Sequence, residues 1–363
     1  MKKITVKQAC MIVICMIISP AVRLFNSNLS VEGSNDGWVG TLIAGALMLA
    51  LVFVLFAMIK TGRNFSQILQ YTLGNTVGRI FMLLYFIWGS VLVSVQMRYS
   101  AQRLSSTIYT AIDIEIFVLI LTVLCIYGLS KGLTTIARAN EIILPITLGV
   151  IVLLVVLLGE NIKPDELFPI YNTREIFHVA LCDFASFSYI TLVLFFNDEL
   201  EMRETFKKHA IISVFIVTSL SLLLFLTVVG SLGPYLMQKL PYPFFSVVKQ
   251  ISIGDFVQHI EAFVITLWIL SDFIIVVFLG ASMLKLFGAL THKTDTKDFV
   301  FPYFFACAAL VLYTGRTNTE LESISEKIFI PANAIMLFVL PCIFCLIAKI
   351  KEKYCAKKRQ MLY

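Results

Sequence analysis

Charge is scarce in this chain. Asp, Glu, Lys and Arg make up 14% of the 363 residues, against 59% apolar residues and a mean hydropathy of +0.89. A soluble domain carries charge on about a quarter of its residues, so a water-soluble globular protein and a disordered one are both excluded. Long polar segments are missing as well. The longest connections between apolar runs, 159 to 178 and 231 to 257, are too short to fold alone. Histidine is limited to His178, His209, His259 and His292, at separate span ends. No G-x-S-x-G, H-E-x-x-H or glycine-rich phosphate loop occurs, so hydrolytic, metal-dependent and nucleotide chemistry find no support. Neither catalysis, a cofactor, a metal nor a nucleic-acid partner is expected.

What the chain has instead is ten apolar stretches, each near the ~20 residues that span a bilayer. They run at roughly 7 to 28, 38 to 59, 80 to 105, 115 to 131, 140 to 159, 179 to 197, 209 to 231, 258 to 286, 299 to 315 and 330 to 348. The expected fold is an all-α integral membrane domain of ten transmembrane helices over 1–363, lying in a lipid bilayer. Lys2-Lys3 and the run from Ala9 to Ile18 outline a signal peptide, but no small-x-small cleavage site follows, so the segment is kept as the first span. Cys10, Cys15, Cys125, Cys182, Cys307, Cys342 and Cys345 lie in or at the edge of spans and read as small buried hydrophobes. Cys342 and Cys345 have C-x-x-C spacing without the context of a redox or zinc site.

Basic residues set the orientation. With the N-terminus in the cytoplasm, the segments Lys2 to Lys7, Lys60 to Arg79, Lys131 to Arg138, Arg203 to Lys208, Lys285 to Lys297 and Lys349 to Arg359 all face inward and hold 20 of the 29 Lys and Arg. This is the positive-inside pattern, and ten spans return the C-terminus to the same side. A basic tail, 349–363, then meets anionic headgroups.

Two spans are interrupted near their middles. The first contains Ile18-Ser19-Pro20-Ala21 and the sixth Ala185-Ser186-Phe187-Ser188, in equivalent places of two five-span halves, about 7–159 and 179–348. Paired discontinuous helices are the signature of inverted-repeat transporter folds with a midplane site. Ser19, Pro20, Ala21, Ala185, Ser186, Phe187 and Ser188 are therefore candidate ligand contacts. Half-helix N-termini there favour a carboxylate, and so a small amino acid. The alternative is a pair of structural kinks whose serines bond back to the preceding turn. Asp272, near the centre of the eighth span, and Asp183, a turn before the sixth-span break, are candidate proton or ion sites, because an intramembrane carboxylate is costly unless paired. Asp272 is also a candidate ligand contact. Ser90, Ser94 and Gln96 in the third span line the same cavity in this reading; Arg98 either joins them or, the preferred reading, snorkels outward.

Several connections carry their own signals. Tyr71 to Gly74 reads as a short interfacial helix ending on a glycine cap, and Tyr127 to Leu133 as a tight inner turn. Glu141 and Pro145 read as belonging to the first turns of the fifth span. The segment 233 to 258, with Pro241-Tyr242-Pro243 and an apolar helical run from Phe244 to Ile251, reads either as a lid across a central cavity or as a helix floating at the headgroups.

The ordered set of short motifs resembles the spore germinant receptor B-subunit family, within the amino acid, polyamine and organocation transporter superfamily. The pieces are Ile251 to Ala262 entering the eighth span, Lys131-Gly132-Leu133 followed by Ala137 to Ile142 and Pro145, Asp36-Gly37-Trp38, Leu73-Gly74 with Gly78, and Leu167-Phe168-Pro169. The resemblance covers nearly the whole chain. It implies a five-plus-five fold that passes many times through a bacterial membrane, the spore inner membrane. It also implies an A subunit and a C lipoprotein subunit as partners, and a small nutrient, often an amino acid, bound between spans one, three, six and eight to trigger germination. A proton-coupled amino acid permease and a ligand-free scaffold subunit are the alternatives. The sixth-span break departs from the family: where relatives carry proline, glycine and glutamate, this chain reads Phe184-Ala185-Ser186-Phe187-Ser188-Tyr189, and Tyr189 stands about where the acid would be.

Overall fold

The computed structural model describes residues 3–24, 35–107, 112–167, 173–240, 242–249, 260–315 and 317–360. Within them almost every residue is helical, because a helix satisfies its backbone polar groups internally where no water can. In chain order the helices are α1 (Val6–Leu24), α2 (Gly37–Ile59), α3 (Phe65–Leu73), α4 (Asn75–Thr107), α5 (Ile114–Ser130), α6 (Leu133–Leu158), α7 (Thr173–Phe187), α8 (Phe206–Lys239), α9 (Pro243–Val248), α10 (Ile260–Thr291), α11 (Val300–Val311), α12 (Asn318–Ile324), α13 (Ile330–Ala334) and α14 (Leu340–Gln360). Each of the ten apolar stretches falls on one or more of them. Among the described residues, seven helical runs are long and apolar enough to cross a membrane. Large apolar side chains such as Phe53, Ile87, Leu119, Val156, Phe215 and Phe305 are exposed on their outer faces. A surface this apolar suits lipid tails, and the protein is a multi-pass membrane protein.

The most enclosed elements are the two that carry the sequence interruptions. The apolar window of residues 176–199 is 94% buried, against 28% for α6, and in α1 the run Ile12 to Ile18 is buried throughout. α10 is their common neighbour: it packs on α1, on α4 and on the segment that follows α7. α2 lies close along α7 because Gly40 has no side chain; a Cβ there would sit 2.6 Å from the Ile176 carbonyl oxygen. The next residue, Thr41, donates its hydroxyl to Asp183 of α7 at 2.6 Å. Small residues and interhelical hydrogen bonds of this kind hold helices together in lipid, where burial alone gives no drive.

Two helices leave α geometry over several residues, with the 3₁₀ run of one facing a π run of the other, and α8 kinks at Gly233, φ +73°. After Phe187, α7 tightens into a 3₁₀ helix, Ser188–Glu199. Such runs are uncommon beyond a few residues and mark hinges or strain. The last span widens into π turns at Ser325–Phe329 and, opposite the 3₁₀ run, at Ile335–Val339. The π turn sends the Leu340 N–H to Ile335, which frees the Met336 carbonyl, and Pro341 has no N–H to offer Leu337. Tyr85 of α4 donates to the Met336 oxygen at 2.5 Å and Thr191 of the 3₁₀ run to the Leu337 oxygen at 2.6 Å. Tyr189 takes the Asn333 amide at 3.4 Å. The freed backbone is thereby satisfied by side chains, as membrane structure requires. Pro234 in α8 works alike: the Gly230 carbonyl it cannot serve accepts from the Lys163 N–H at 2.9 Å.

The first-span break is corrected. α1 is assigned helical through Ser19, Pro20 and Ala21 to Leu24. Proline's fixed φ fits a helix, so the loss can be confined to one hydrogen bond without unwinding. The side chains of residues 19–24 lie outside the described residues, as do 251–259 of the strongest motif.

The described parts of the six basic segments meet at one end of the bundle. Ile4–Thr5 (β1) pairs in parallel with Leu200–Glu201 (β2). Asn64 caps α3 in a capping box with Gln67, and Gly74 ends that helix with φ +83°, as the glycine-cap reading expects. Lys351 reaches the Tyr71 carbonyl at 3.0 Å. α5 stops at Ser130, and Gly132 at φ +92° lets α6 start at Leu133. This moves the fifth span's start seven residues earlier than expected, since nothing between 133 and 140 breaks a helix. Glu141 and Pro145 thus lie inside α6, with Glu141 accepting from Gln8 at 3.1 Å.

Candidate functional site

At the end of the bundle away from the basic one, α4 turns a run of polar side chains inward: Ser94, Gln96, Arg98, Ser100, Gln102 and Arg103 are all buried. Arg103 donates from Nη2 to Asp272 of α10 at 2.5 Å, and both side chains are 4% exposed. Two ions in so enclosed a place must neutralise each other, because neither has water to solvate it. The Arg103 guanidinium also lies 4.8 Å from the Trp268 ring centroid. Phe245 of α9 packs against that indole, ring centroids 5.9 Å apart, and Lys249 lies over Phe245. From the other direction, α1 packs on α10, with Cys15 close to Ser271. Three spans and a connecting helix therefore converge on one ion pair.

Asp272 sits where the eighth span predicts it, and its partner was missed. Arg103 stands seven residues after Gln96, two helical turns along one face, which is the signal that points to it. Arg98 does not snorkel; it is buried, held there by the packing of α4 within the bundle. Ser94 bonds back to Ser90 at 3.0 Å and Ser188 to Ala185 at 2.8 Å, the arrangement of a structural kink. Ala185 packs with Cys182 against Ile330 of α13. Ser186 and Phe187 are buried. Asp183 faces α2 through Thr41 and belongs to a different locale from Asp272. The contacts of Ser19, Pro20 and Ala21 lie outside the described side chains.

α9 is no floating interfacial helix. Pro243, Phe244, Phe245, Val247 and Val248 are buried between α6, α8 and α10, as a lid requires and a headgroup helix does not.

A second charged cluster closes the basic end. Lys285 of α10 lies 2.5 Å from Asp198 and 2.6 Å from Glu199, at the end of the 3₁₀ run. Asn64 donates to Asp198 at 2.9 Å, Asn197 donates to the Ile59 and Arg63 carbonyls, and Arg203 to those of Asn197 and Asp198. Beside this cluster opens a cavity of about 670 Å³ lined by Gln67, Ser130, Lys285, His292 and Asp295 among others. Thirteen residues of α10 separate Asp272 from Lys285, about 20 Å along a helix. The two ion clusters thus bracket the middle of the bundle. Among the described residues no group of His, Cys, Asp and Glu is arranged to hold a metal.

Comparison with known proteins adds family and fold. The profile of a family described as spore germination protein matches residues 3–320. Spore germination protein A2 of Bacillus subtilis (strain 168) is 24% identical over 339 residues, covering 89% of this chain and 88% of its own. Spore germination protein XB of Bacillus anthracis is 19% identical over 337 residues, covering 89% and 92%. Among solved structures, MhsT in complex with L-phenylalanine superposes with a TM-score of 0.69 at 11% identity, over 93% of this chain and 89% of that one. Mhp1, a nucleobase-cation-symport-1 family transporter in a closed conformation with bromovinylhydantoin, gives 0.65 at 13% identity, over 93% and 78%. At such identity these two share the fold and nothing more is read from them.

Proposed function

The chain belongs to the spore germination protein family, and from that membership we propose that it is the B-type subunit of a nutrient germinant receptor. It binds a small nutrient, an amino acid first, in the middle of the bundle between α1, α4, the α7–3₁₀ helix and α10. Binding stabilises one arrangement of the helices over another and passes the signal to an A subunit and a C lipoprotein subunit in the spore inner membrane. The single observation that carries the proposal is the enclosed Arg103–Asp272 pair under α9, with a separate ion cluster at Lys285 some distance along the same helix. Polar groups on both sides of the bundle's middle support a central site of the kind that inverted-repeat transporter folds carry.

Two five-span repeats with both termini in the cytoplasm are part of the proposal. Helix partnerships support the repeats, because they persist when each span is exchanged for the one five later. α1 packs on α8 as α7 packs on α2, α4 on α11 as α10 on α5, and α1 on α6 as α7 on α13. Gathering of the six basic segments at one end supports the orientation.

A proton-coupled permease is the second reading, favoured by the ionisable Asp272 and Asp183 inside the bundle. Vesicles holding the purified chain separate the two. A receptor subunit binds amino acid without accumulating it, whereas saturable uptake driven by a pH gradient and abolished in Asp272→Asn favours the permease.

A further inference from the structure

The nutrient-binding reading does not say which side chain recognises which chemical group. Arg103 uses only one of its terminal nitrogens. Nη2 donates to Asp272, while Nη1 is buried without a hydrogen-bond partner among the described residues. Ser100 lies one turn earlier on the same face of α4; it is 4% exposed, and among the described residues its hydroxyl likewise has no partner. Trp268 covers the guanidinium face, so the free approach to Arg103 is along its Nη1 edge. Both unsatisfied groups are donors. Buried donors left unmade are unfavourable, and where they persist they call for an acceptor that arrives later. Two donors a turn apart suit the two oxygens of one carboxylate, which guanidinium and hydroxyl groups bind more strongly than neutral oxygens.

We infer that Arg103 Nη1 and Ser100 Oγ form the docking point for the ligand's carboxylate, and that the ligand class is a zwitterionic α-amino acid. Net charge selects the zwitterion. Arg103 and Asp272 already cancel each other, so a simple carboxylic acid would bring an uncompensated negative charge into an enclosed site, whereas a zwitterion adds none. A sugar offers only neutral oxygens. The inference rests on the nutrient-binding reading, and it moves the carboxylate from the first apolar stretch, whose helix is unbroken, to α4.

The test uses the full chain in lipid nanodiscs and follows the thermal unfolding midpoint. The probes are the L-amino acids, their C-terminal amides, propionate, glucose and inositol. At least one amino acid raises the midpoint, and its amide and propionate do not. Ser100→Ala leaves the ion pair intact and weakens that amino acid by about 10-fold. Arg103→Lys keeps a positive charge beside Asp272 but has a single nitrogen, and weakens it by about 10- to 100-fold. Equal stabilisation by acid and amide, unchanged affinity in both variants, or stabilisation by a sugar alone overturns the assignment and leaves the nutrient-binding reading standing. No response to any probe overturns both.

Discussion

Lys285 holds two carboxylates at once, Asp198 at 2.5 Å and Glu199 at 2.6 Å. Those acids end the 3₁₀ run that continues α7, and β2, the next two residues, pairs with β1 just before α1. One lysine thereby ties the ends of the two most enclosed helices to α10. The side chains are 19% to 35% exposed, so solvent screens the pairs and their direct contribution is modest. Lys285→Met is expected to raise amide hydrogen exchange across residues 188–201 by about five- to thirtyfold, a local opening cheaper by about 1–2 kcal/mol. Unchanged exchange there would show that the cluster is surface decoration.

The Arg103–Asp272 pair predicts a non-additive cycle. Asp272→Asn alone strands a buried guanidinium and is expected to destabilise the folded chain by about 3–5 kcal/mol. Arg103→Gln combined with Asp272→Asn removes both charges and comes close to neutral. Denaturation of the four proteins in detergent measures the coupling, and simple additivity would contradict the pairing.

Close approach of α2 to α7 depends on Gly40. Gly40→Ala places a Cβ 2.6 Å from the Ile176 carbonyl oxygen and 2.9 Å from the Ala180 nitrogen, both backbone atoms that cannot step aside. A loss of about 1–3 kcal/mol is expected, read as a lower unfolding midpoint. Gly149→Ala, in α6 with nothing within 4 Å of its added Cβ, serves as the control and is expected to stabilise slightly.

Thr41 supplies a hydroxyl to the buried Asp183 carboxylate. Thr41→Val removes that donor at nearly constant volume, with an expected loss of about 1–3 kcal/mol. Asp183→Asn makes the acceptor neutral while preserving its shape, and is expected to cost less. Midpoints ranked the other way would mean that Asp183 is held by something other than Thr41.

Much of this architecture was legible in the sequence, for physical reasons. Apolar run length locates helices because a bilayer fixes the span, and Gly74 and Gly132 mark boundaries because few other residues adopt their positive φ. The sixth-span irregularity was readable from Ser186 and Ser188, whereas Pro20 misled, because proline can sit in a helix that continues. The π turns of the last span left no signal beyond Pro331 and Pro341; the carbonyls freed at the second are served by Tyr85 and Thr191, more than a hundred residues away in the chain. Arg103 and Lys285 were visible only as charges near span ends. Their partners are set by helix packing, which no local pattern encodes.

Germination of spores tests the central claim most directly. Spores lacking this chain are exposed to a panel of amino acids, sugars and nucleosides, and the fall in optical density that accompanies germination is followed. The receptor reading predicts loss of the response to at least one amino acid, restored by the intact gene but not by one carrying Arg103→Lys. Undiminished responses to every nutrient in the panel would contradict it.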